Sequence, residues 1–143
     1  MKHQLTAITT VFLLSLFLYA YSTEQEVLYK EQDGVRITYT KQQRAHTQEQ
    51  VMEYLVLKIE NRNTHGVTIT WKLDLWYNDL CRTCDQPSPT GYEFTKTLQP
   101  GEVLEGNVQE DDLMLRIWYR SVKPTSDVVL TRFEFTNLEV QQN

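Results

Sequence analysis

The sequence predicts an all-β protein, an antiparallel β-sandwich of seven or eight strands preceded by a signal peptide. The run 67–77, VTITWKLDLWY, alternates apolar and polar residues without a break, which is typical of a strand with one buried face. Shorter alternating runs recur along the chain with turn residues between them, and none has the period of a helix. The chain of 143 residues is long enough for one hydrophobic core.

The first 22 residues have the features of a secretory signal peptide. Lys2 gives a weakly positive head, residues 5–19 are apolar or small, and Ala20 and Ser22 are small residues ahead of a cleavage site. We therefore expect cleavage after Ser22, export to the periplasm or the extracellular space, and a mature sandwich domain of residues 23–143. An uncleaved membrane anchor is the alternative, because the apolar run is only slightly shorter than the roughly 20 residues that span a bilayer.

The net charge of the chain argues against two classes of binding partner. Lys and Arg number 14 and Asp and Glu number 19, without a basic block. This acidic balance argues against a nucleic acid or an anionic membrane surface as the partner. We expect an unknown protein or glycan partner and no stable membrane insertion after signal cleavage.

The predicted strands of the first half follow one another in chain order. A strand from Val27 reaches the Asp33-Gly34 hairpin turn, and a second strand begins at Val35. Residues 41–50, KQQRAHTQEQ, are polar throughout and predict an exposed loop. The next strand, 51–60, has apolar residues on both faces near its start, which predicts a central position. The strand 67–77 is also expected at the centre of a sheet. Its Lys72 and Asp74 are expected on an outer face that is exposed to solvent.

The second half begins with a predicted loop at 78–91, which holds both cysteines of the chain and is stiffened by Pro87 and Pro89. Further strands are expected at 92–98, weakly at 103–108, at 113–120 and at 128–140. Pro100-Gly101 suits a tight turn between two of them. The apolar positions of the last strand change parity near Thr136-Asn137, which predicts a β-bulge there.

Several of these segments together resemble a group of small secreted bacterial proteins of unknown function. The segments are YLVLKIENRN, VTITWKLDLWYN, the Cys-x-x-Cys loop, LQPGEVLEG and LTRFEFTNLEV. The resemblance covers essentially the whole mature chain and implies an exported, immunoglobulin-like β-sandwich without catalytic residues. Trp71 stands where an immunoglobulin-like core often has a tryptophan.

Cys81 and Cys84 allow three interpretations. In an oxidising compartment they form a local disulfide that shapes the loop. Two thiolates with His46 and His65 would make a Cys₂His₂ metal site, although only the cysteine spacing matches one. A redox pair would need an environment that lowers a thiol pKa, such as a helix N-terminus, and none is predicted. We favour the disulfide and keep metal or redox activity of this loop as the alternative.

No other pattern points to catalysis. The chain has neither a GxSxG nor an HExxH motif, and we expect no catalytic residues, no metal and no cofactor. The most suggestive surface feature is a set of five aromatic and basic residues at positions whose parity predicts an outward-facing side chain. If these side chains meet on one sheet, they could bind a partner. The residues are Tyr54, Trp76, Arg116, Trp118 and Arg120. The sequence therefore favours an exported, non-catalytic binding or envelope-associated module.

Overall fold

The computed structural model describes residues 24–84 and 92–143. The predicted signal peptide and its cleavage site after Ser22 lie outside these ranges, as do Pro87 and Pro89 of the long loop. None of the described residues forms a helix that is long and apolar enough to cross a bilayer.

The described residues form nine β-strands and no helix, which confirms the all-β prediction. The strands are β1 (Val27–Gln32), β2 (Val35–Ala45), β3 (Val51–Asn61), β4 (Val67–Tyr77), β5 (Leu80–Cys81), β6 (Glu93–Leu98), β7 (Val103–Glu105), β8 (Arg116–Lys123) and β9 (Leu130–Gln142). They make two antiparallel sheets. One contains β1, β2, β3, β7 and β8, and the other contains β4, β5, β6 and β9.

The two long alternating strands lie at the centres of the two sheets, as predicted. β3 pairs with β2 along one edge, and its other edge is shared by β8 and β7. β4 pairs with β9 along one edge, and its other edge is shared by β6 and β5. The chain changes sheet between β3 and β4, between β6 and β7, and between β8 and β9.

Both sheets contribute to one hydrophobic core. Leu57 and Ile59 of β3, Ile69 and Leu73 of β4, and Trp71 between those two are almost completely buried. Apolar side chains at every second position of each central strand therefore point into a common interior, as the period-2 pattern predicts.

The prediction of a loop at 41–50 is wrong in its first half. β2 continues to Ala45, and its ladder with β3 runs without a shift from Val35 opposite Asn61 to Ala45 opposite Val51. Backbone pairing with a central strand, rather than burial of side chains, keeps this polar segment extended. The loop is reduced to 46–50, which the His46 N–H closes by donating to the Gln50 carbonyl at 2.8 Å.

The predicted bulge in the last strand is confirmed. Thr70 pairs with Glu139 and Lys72 pairs with Thr136, so residues 137–138 of β9 together face the one intervening residue of β4. Asn137 has a φ of 54°, a left-handed conformation that asparagine tolerates better than most residues. The extra residue explains why the apolar parity changes at this point.

Two boundaries differ from the predictions. The loop expected from residue 78 begins with a tight hairpin, because Asn78 and Asp79 adopt φ values of 48° and 63° and return the chain to pair as β5. The strand expected from residue 113 begins at Arg116. The Arg116 N–H donates to the Asp112 carbonyl at 2.9 Å and thereby closes a turn over residues 112–116.

A buried asparagine holds together the end of the molecule where β3 finishes. The Asn61 side chain is fully buried, and its amide nitrogen lies 2.9 Å from the His65 carbonyl, 3.2 Å from that of Leu98 and 2.9 Å from that of Gln99. Its amide oxygen accepts from the Asn63 N–H at 3.0 Å. One side chain thus joins the β3–β4 turn to the end of β6.

Side chains of β1 lie against the outer edge of β9. The Phe135 N–H donates to the Tyr29 hydroxyl at 3.0 Å, and Gln32 Nε2 donates to the Leu138 carbonyl at 3.2 Å. β4 is the strand partner of β9 in the described part of the chain. The two sheets are therefore connected at this side by side chain–backbone hydrogen bonds.

Candidate functional site

The five residues of the predicted binding surface do not lie on one sheet. Trp76 belongs to β4 in the four-stranded sheet, whereas the other four belong to β3 and β8 in the five-stranded sheet. Those four are Tyr54, Arg116, Trp118 and Arg120. Parity along a strand predicts which side chains share a face, but it does not predict which sheet the strand joins.

Tyr54 is covered by its neighbours. Its side chain is buried, its hydroxyl lies 3.0 Å from His46 Nε2, and the Arg116 guanidinium lies 4.5 Å from the centre of its ring. Arg116 also contacts Asp111 at 2.6 Å, and Arg44 contacts the same carboxylate at 3.1 Å. The hydrogen bond from Arg116 holds the pKa of Asp111 below its ordinary value. This cluster leaves little aromatic surface for a partner.

Trp118 and Arg120 are engaged in contacts within the protein. The Trp118 ring packs on that of Tyr77 with a centroid distance of 5.3 Å, and the Tyr77 hydroxyl donates to the Trp118 carbonyl at 2.8 Å. Arg120 Nε donates to Glu53 Oε2 at 2.7 Å. The contacts of Trp118 join β8 to β4, so they connect the two sheets. Burial raises the pKa of Tyr77 well above its ordinary value.

The raised pKa of Tyr77 predicts a loss of stability at alkaline pH. Below pH 10.0, the ordinary pKa of tyrosine, the Tyr77 hydroxyl keeps its proton in both the folded and the unfolded protein. Above pH 10.0 the hydroxyl ionises in the unfolded protein but not in the folded one, so a rise in pH favours unfolding. The free energy of unfolding should fall by at most about 1.4 kcal/mol per pH unit through this group. Urea unfolding at several pH values, compared with Tyr77→Phe, measures it. Equal slopes in the two proteins would contradict the prediction.

Trp76 has a different environment on the outer face of the four-stranded sheet. The Arg132 guanidinium lies 3.8 Å from the centre of its ring, and Cys81 is its cross-strand neighbour on the other side. Trp76, Asp79, Thr131 and Arg132 line a depression of about 310 Å³. An indole and a guanidinium therefore lie beside Asp79 and Thr131 at one accessible place.

Cys81 and Cys84 form a disulfide, as predicted, with their Cα atoms 5.8 Å apart. Both residues are half-buried, and the Cys84 N–H donates to Cys81 Sγ at 3.1 Å. One Asp74 carboxylate oxygen and both sulfur atoms lie within 4.8 Å of one another. In the described residues neither His46 nor His65 belongs to this group. The partner that sequence reasoning missed is therefore Asp74.

Asp74 and Lys72 are not solvated, contrary to the expectation for this face. Their side chains are 10% and 13% exposed, and Lys72 Nζ lies 3.0 Å from Asp74 Oδ1. This contact is an ion pair without hydrogen-bond geometry, and Nζ also donates to the Cys84 carbonyl at 2.8 Å. Thr136 Oγ1 donates to Asp74 Oδ2 at 2.9 Å. The Cys-x-x-Cys loop covers both charges, which alternation along β4 could not reveal.

The middle of the Cys-x-x-Cys loop is attached to β4. The buried Thr83 hydroxyl accepts from the Leu75 N–H at 2.9 Å and donates to the Leu73 carbonyl at 3.0 Å. The Arg82 N–H donates to the Leu75 carbonyl at 2.8 Å. The ladder with β6 ends at Lys72, so these backbone groups of β4 are open to the loop. A threonine between the cysteines was the available sequence signal.

Comparison with known proteins adds no further likeness. No protein-family model, no curated protein and no solved structure matches the chain. The arguments about function below therefore depend on the chemistry and geometry of these residues.

Proposed function

We propose that this chain is an exported, non-catalytic binding module with an immunoglobulin-like β-sandwich fold. In this proposal the outer face around Trp76 recognises a partner protein. The observation that carries it is the pairing of Trp76 with Arg132 at the accessible depression. Tryptophan and arginine are the residue types most enriched among those that dominate binding energy at protein interfaces.

The path of the chain supports the immunoglobulin-like part of the proposal. β8 pairs with β3 in one sheet and β9 pairs with β4 in the other. The chain changes sheet from β3 to β4 and again from β8 to β9. Two strand pairs linked by two crossings between sheets are a feature of Greek-key sandwiches. Trp71 on the central strand β4 lies in the common core, as in many such domains.

The geometry of the ring favours a protein partner over a glycan. A sugar ring stacks on an open aromatic face, but Arg132 covers one face of Trp76 at 3.8 Å. The Arg132 side chain is 55% exposed and ion-pairs with Glu134 at 3.5 Å, so its guanidinium remains accessible to a partner carboxylate or carbonyl. The tight Asn78-Asp79 hairpin and the hydrogen bonds that attach Arg82 and Thr83 to β4 hold the rim in one conformation, which lowers the entropy cost of binding.

Two features support export. Residues 1–22 have the composition and cleavage pattern of a signal peptide. A disulfide between Cys81 and Cys84 is compatible with an oxidising compartment. Export and partner binding are separate parts of the proposal, and the experiment below reads them separately.

A photo-crosslinking amino acid at Thr131, an exposed residue that lines the same depression, should give a discrete crosslinked species in the cells that make the protein. The same probe at Thr70, an exposed outward position of β4, should give none. Trp76→Ala in the Thr131-probe protein should abolish the species, because removing the indole removes the apolar anchor of the surface. Western blotting and mass spectrometry of the crosslinked species measure the result.

The control variant is Trp118→Ala, which removes an indole packed on Tyr77 and should leave the crosslink in place. The intact mass of the recovered protein should begin at Thr23, which tests export independently. Equal crosslinking with and without Trp76 would rule out this binding surface. A mass that includes residues 1–22 would rule out cleavage but not binding.

A further inference from the structure

The Cys81–Cys84 disulfide is not needed to hold its own loop. Three hydrogen bonds of 2.8–3.0 Å attach Arg82 and Thr83 to the backbone of β4, and none of them involves sulfur. A bond that closes a ring of four residues also removes little entropy from the unfolded chain. The loop should therefore keep its conformation when the disulfide is reduced, and this is what a reversible redox couple requires.

The structure also contains a donor that stabilises one sulfur as an anion. The Cys84 N–H lies 3.1 Å from Cys81 Sγ and donates to it. When the disulfide is cleaved, the Cys84 N–H is already in place to stabilise the negative charge on Cys81 Sγ. A hydrogen bond to the charged form favours that form, so Cys81 is the better leaving thiolate of the two.

A proton acceptor lies beside the disulfide. The Asp74 carboxylate is within 4.8 Å of both sulfur atoms and only 10% exposed. The ammonium of Lys72 balances its charge at 3.0 Å and is bonded to the Cys84 carbonyl. A carboxylate and an ammonium, both largely withdrawn from water, thus adjoin a half-buried disulfide on the outer face of a sheet.

We propose that, beyond the binding function, Cys81–Cys84 is a redox-active disulfide that oxidises a protein dithiol in one stoichiometric exchange, with Asp74 relaying the protons. A substrate thiol passes its proton to the Asp74 carboxylate and its sulfur bonds to Cys84 Sγ, while the S–S bond breaks with its electron pair on Cys81 Sγ, which takes the proton from Asp74. The second substrate thiol passes its proton to Asp74 in the same way, its sulfur attacks the substrate sulfur of the mixed disulfide, and Cys84 leaves as a thiolate that takes this second proton. Two electrons and two protons pass from the substrate dithiol to Cys81 and Cys84, and the substrate becomes a disulfide.

A permanent metal site is the competing use of the same three side chains. Thiolate and carboxylate ligands suit zinc, but Thr136 donates to one oxygen of Asp74 and Lys72 lies 3.0 Å from the other. A metal ion at this place would displace the ammonium or sit against it. The geometry therefore favours thiol–disulfide exchange, which leaves the Lys72–Asp74 ion pair in place.

The test equilibrates the purified protein with graded mixtures of reduced and oxidised glutathione. Thiols are then blocked with an alkylating agent and the products are read by intact mass. We expect the reduced fraction to rise through the series while the circular dichroism spectrum stays that of the oxidised protein. A disulfide that remains fully oxidised across the series, or a spectrum that is lost on reduction, would overturn the proposal.

The role of Asp74 is tested by the rate at which dithiothreitol reduces the protein. Asp74→Asn keeps the size of the side chain and should slow reduction at least about tenfold near neutral pH. Glu134→Gln is the matched control, because Glu134 is the cross-strand neighbour of Asp74 and loses the same charge. Equal rates for Asp74→Asn and the wild type would remove Asp74 from the mechanism.

The two sulfurs are distinguished with single variants. The Cys84→Ser protein leaves the Cys81 thiol with its backbone donor, and it should be alkylated at least about tenfold faster than the Cys84 thiol of Cys81→Ser. This readout does not depend on the dithiothreitol assay. Stoichiometric zinc binding by the reduced protein without glutathione exchange would overturn the proposal in favour of a metal site.

Discussion

Replacing Asn61 by Leu should lower the free energy of unfolding by about 3–5 kcal/mol, one of the two largest effects that we expect in this chain. The amide protons of Asn61 are shared among three backbone carbonyls, those of His65, Leu98 and Gln99. Leucine is similar in size but donates nothing, so these carbonyls would remain without their side-chain donor. Urea unfolding followed by circular dichroism measures the change.

Asn61→Asp separates hydrogen bonding from packing. The shape is nearly unchanged, but a carboxylate would face carbonyl oxygens that now lie 2.9–3.2 Å from an amide nitrogen. We expect a loss at least as large as that of the leucine variant. Asn143→Asp is the control, because Asn143 is exposed and its oxygen would still accept from the Thr68 hydroxyl, and it should change stability by less than about 0.5 kcal/mol. Similar values for the two aspartate variants would contradict the role of Asn61.

Replacing Trp71 by Ala should cost about 3–5 kcal/mol of unfolding free energy. The indole is 1% exposed and lies between the rings of Phe94 and Phe135, with centroid distances of 5.5 and 5.8 Å. Its removal leaves a cavity between β6 and β9 that neighbouring strands can fill only in part. A loss of this size is a large fraction of the roughly 5–15 kcal/mol that stabilises a domain.

Trp71→Phe should cost much less, about 1–2 kcal/mol. Trp71 Nε1 is buried and has no hydrogen-bond partner among residues 24–84 and 92–143. Phenylalanine removes this unpaired N–H and retains most of the contact with Phe94 and Phe135, so part of the packing loss is offset. The same urea titration compares both variants. If Phe costs as much as Ala, the indole N–H has a partner, and the packing argument is wrong.

The parts of the fold that depend on local periodicity were predictable. β3 and β4 show their buried faces in every second residue, and the parity change near Asn137 revealed the bulge. The polar end of β2 was missed because its extended conformation depends on pairing with β3, a non-local interaction that its side chains do not encode. The Asn78-Asp79 turn was missed because a loop of polar residues conceals a hairpin when only two strand residues follow it.

The candidate sites were predictable in residue type but not in arrangement. Outward parity grouped Trp76 and Trp118, yet the two lie on different sheets, and Trp118 packs on Tyr77 of the other sheet. Asp74 had the same parity as Trp76 and was expected in solvent. The disulfide loop folds back over it, and this return of the chain is set by hydrogen bonds from Thr83 to β4. Periodicity describes one strand at a time, so it carries no information about what covers a face.

The hydrogen bonds from β1 to β9 have a consequence for self-association. A long sheet edge is a template on which another chain can add a strand, and such growth leads to aggregates. On β9 the Phe135 N–H and the Leu138 carbonyl are already engaged by Tyr29 and Gln32. Side chains cannot themselves be extended as a ladder, so they occupy this part of the edge without continuing the sheet. The first strand thus obstructs the addition of another strand to the middle of β9.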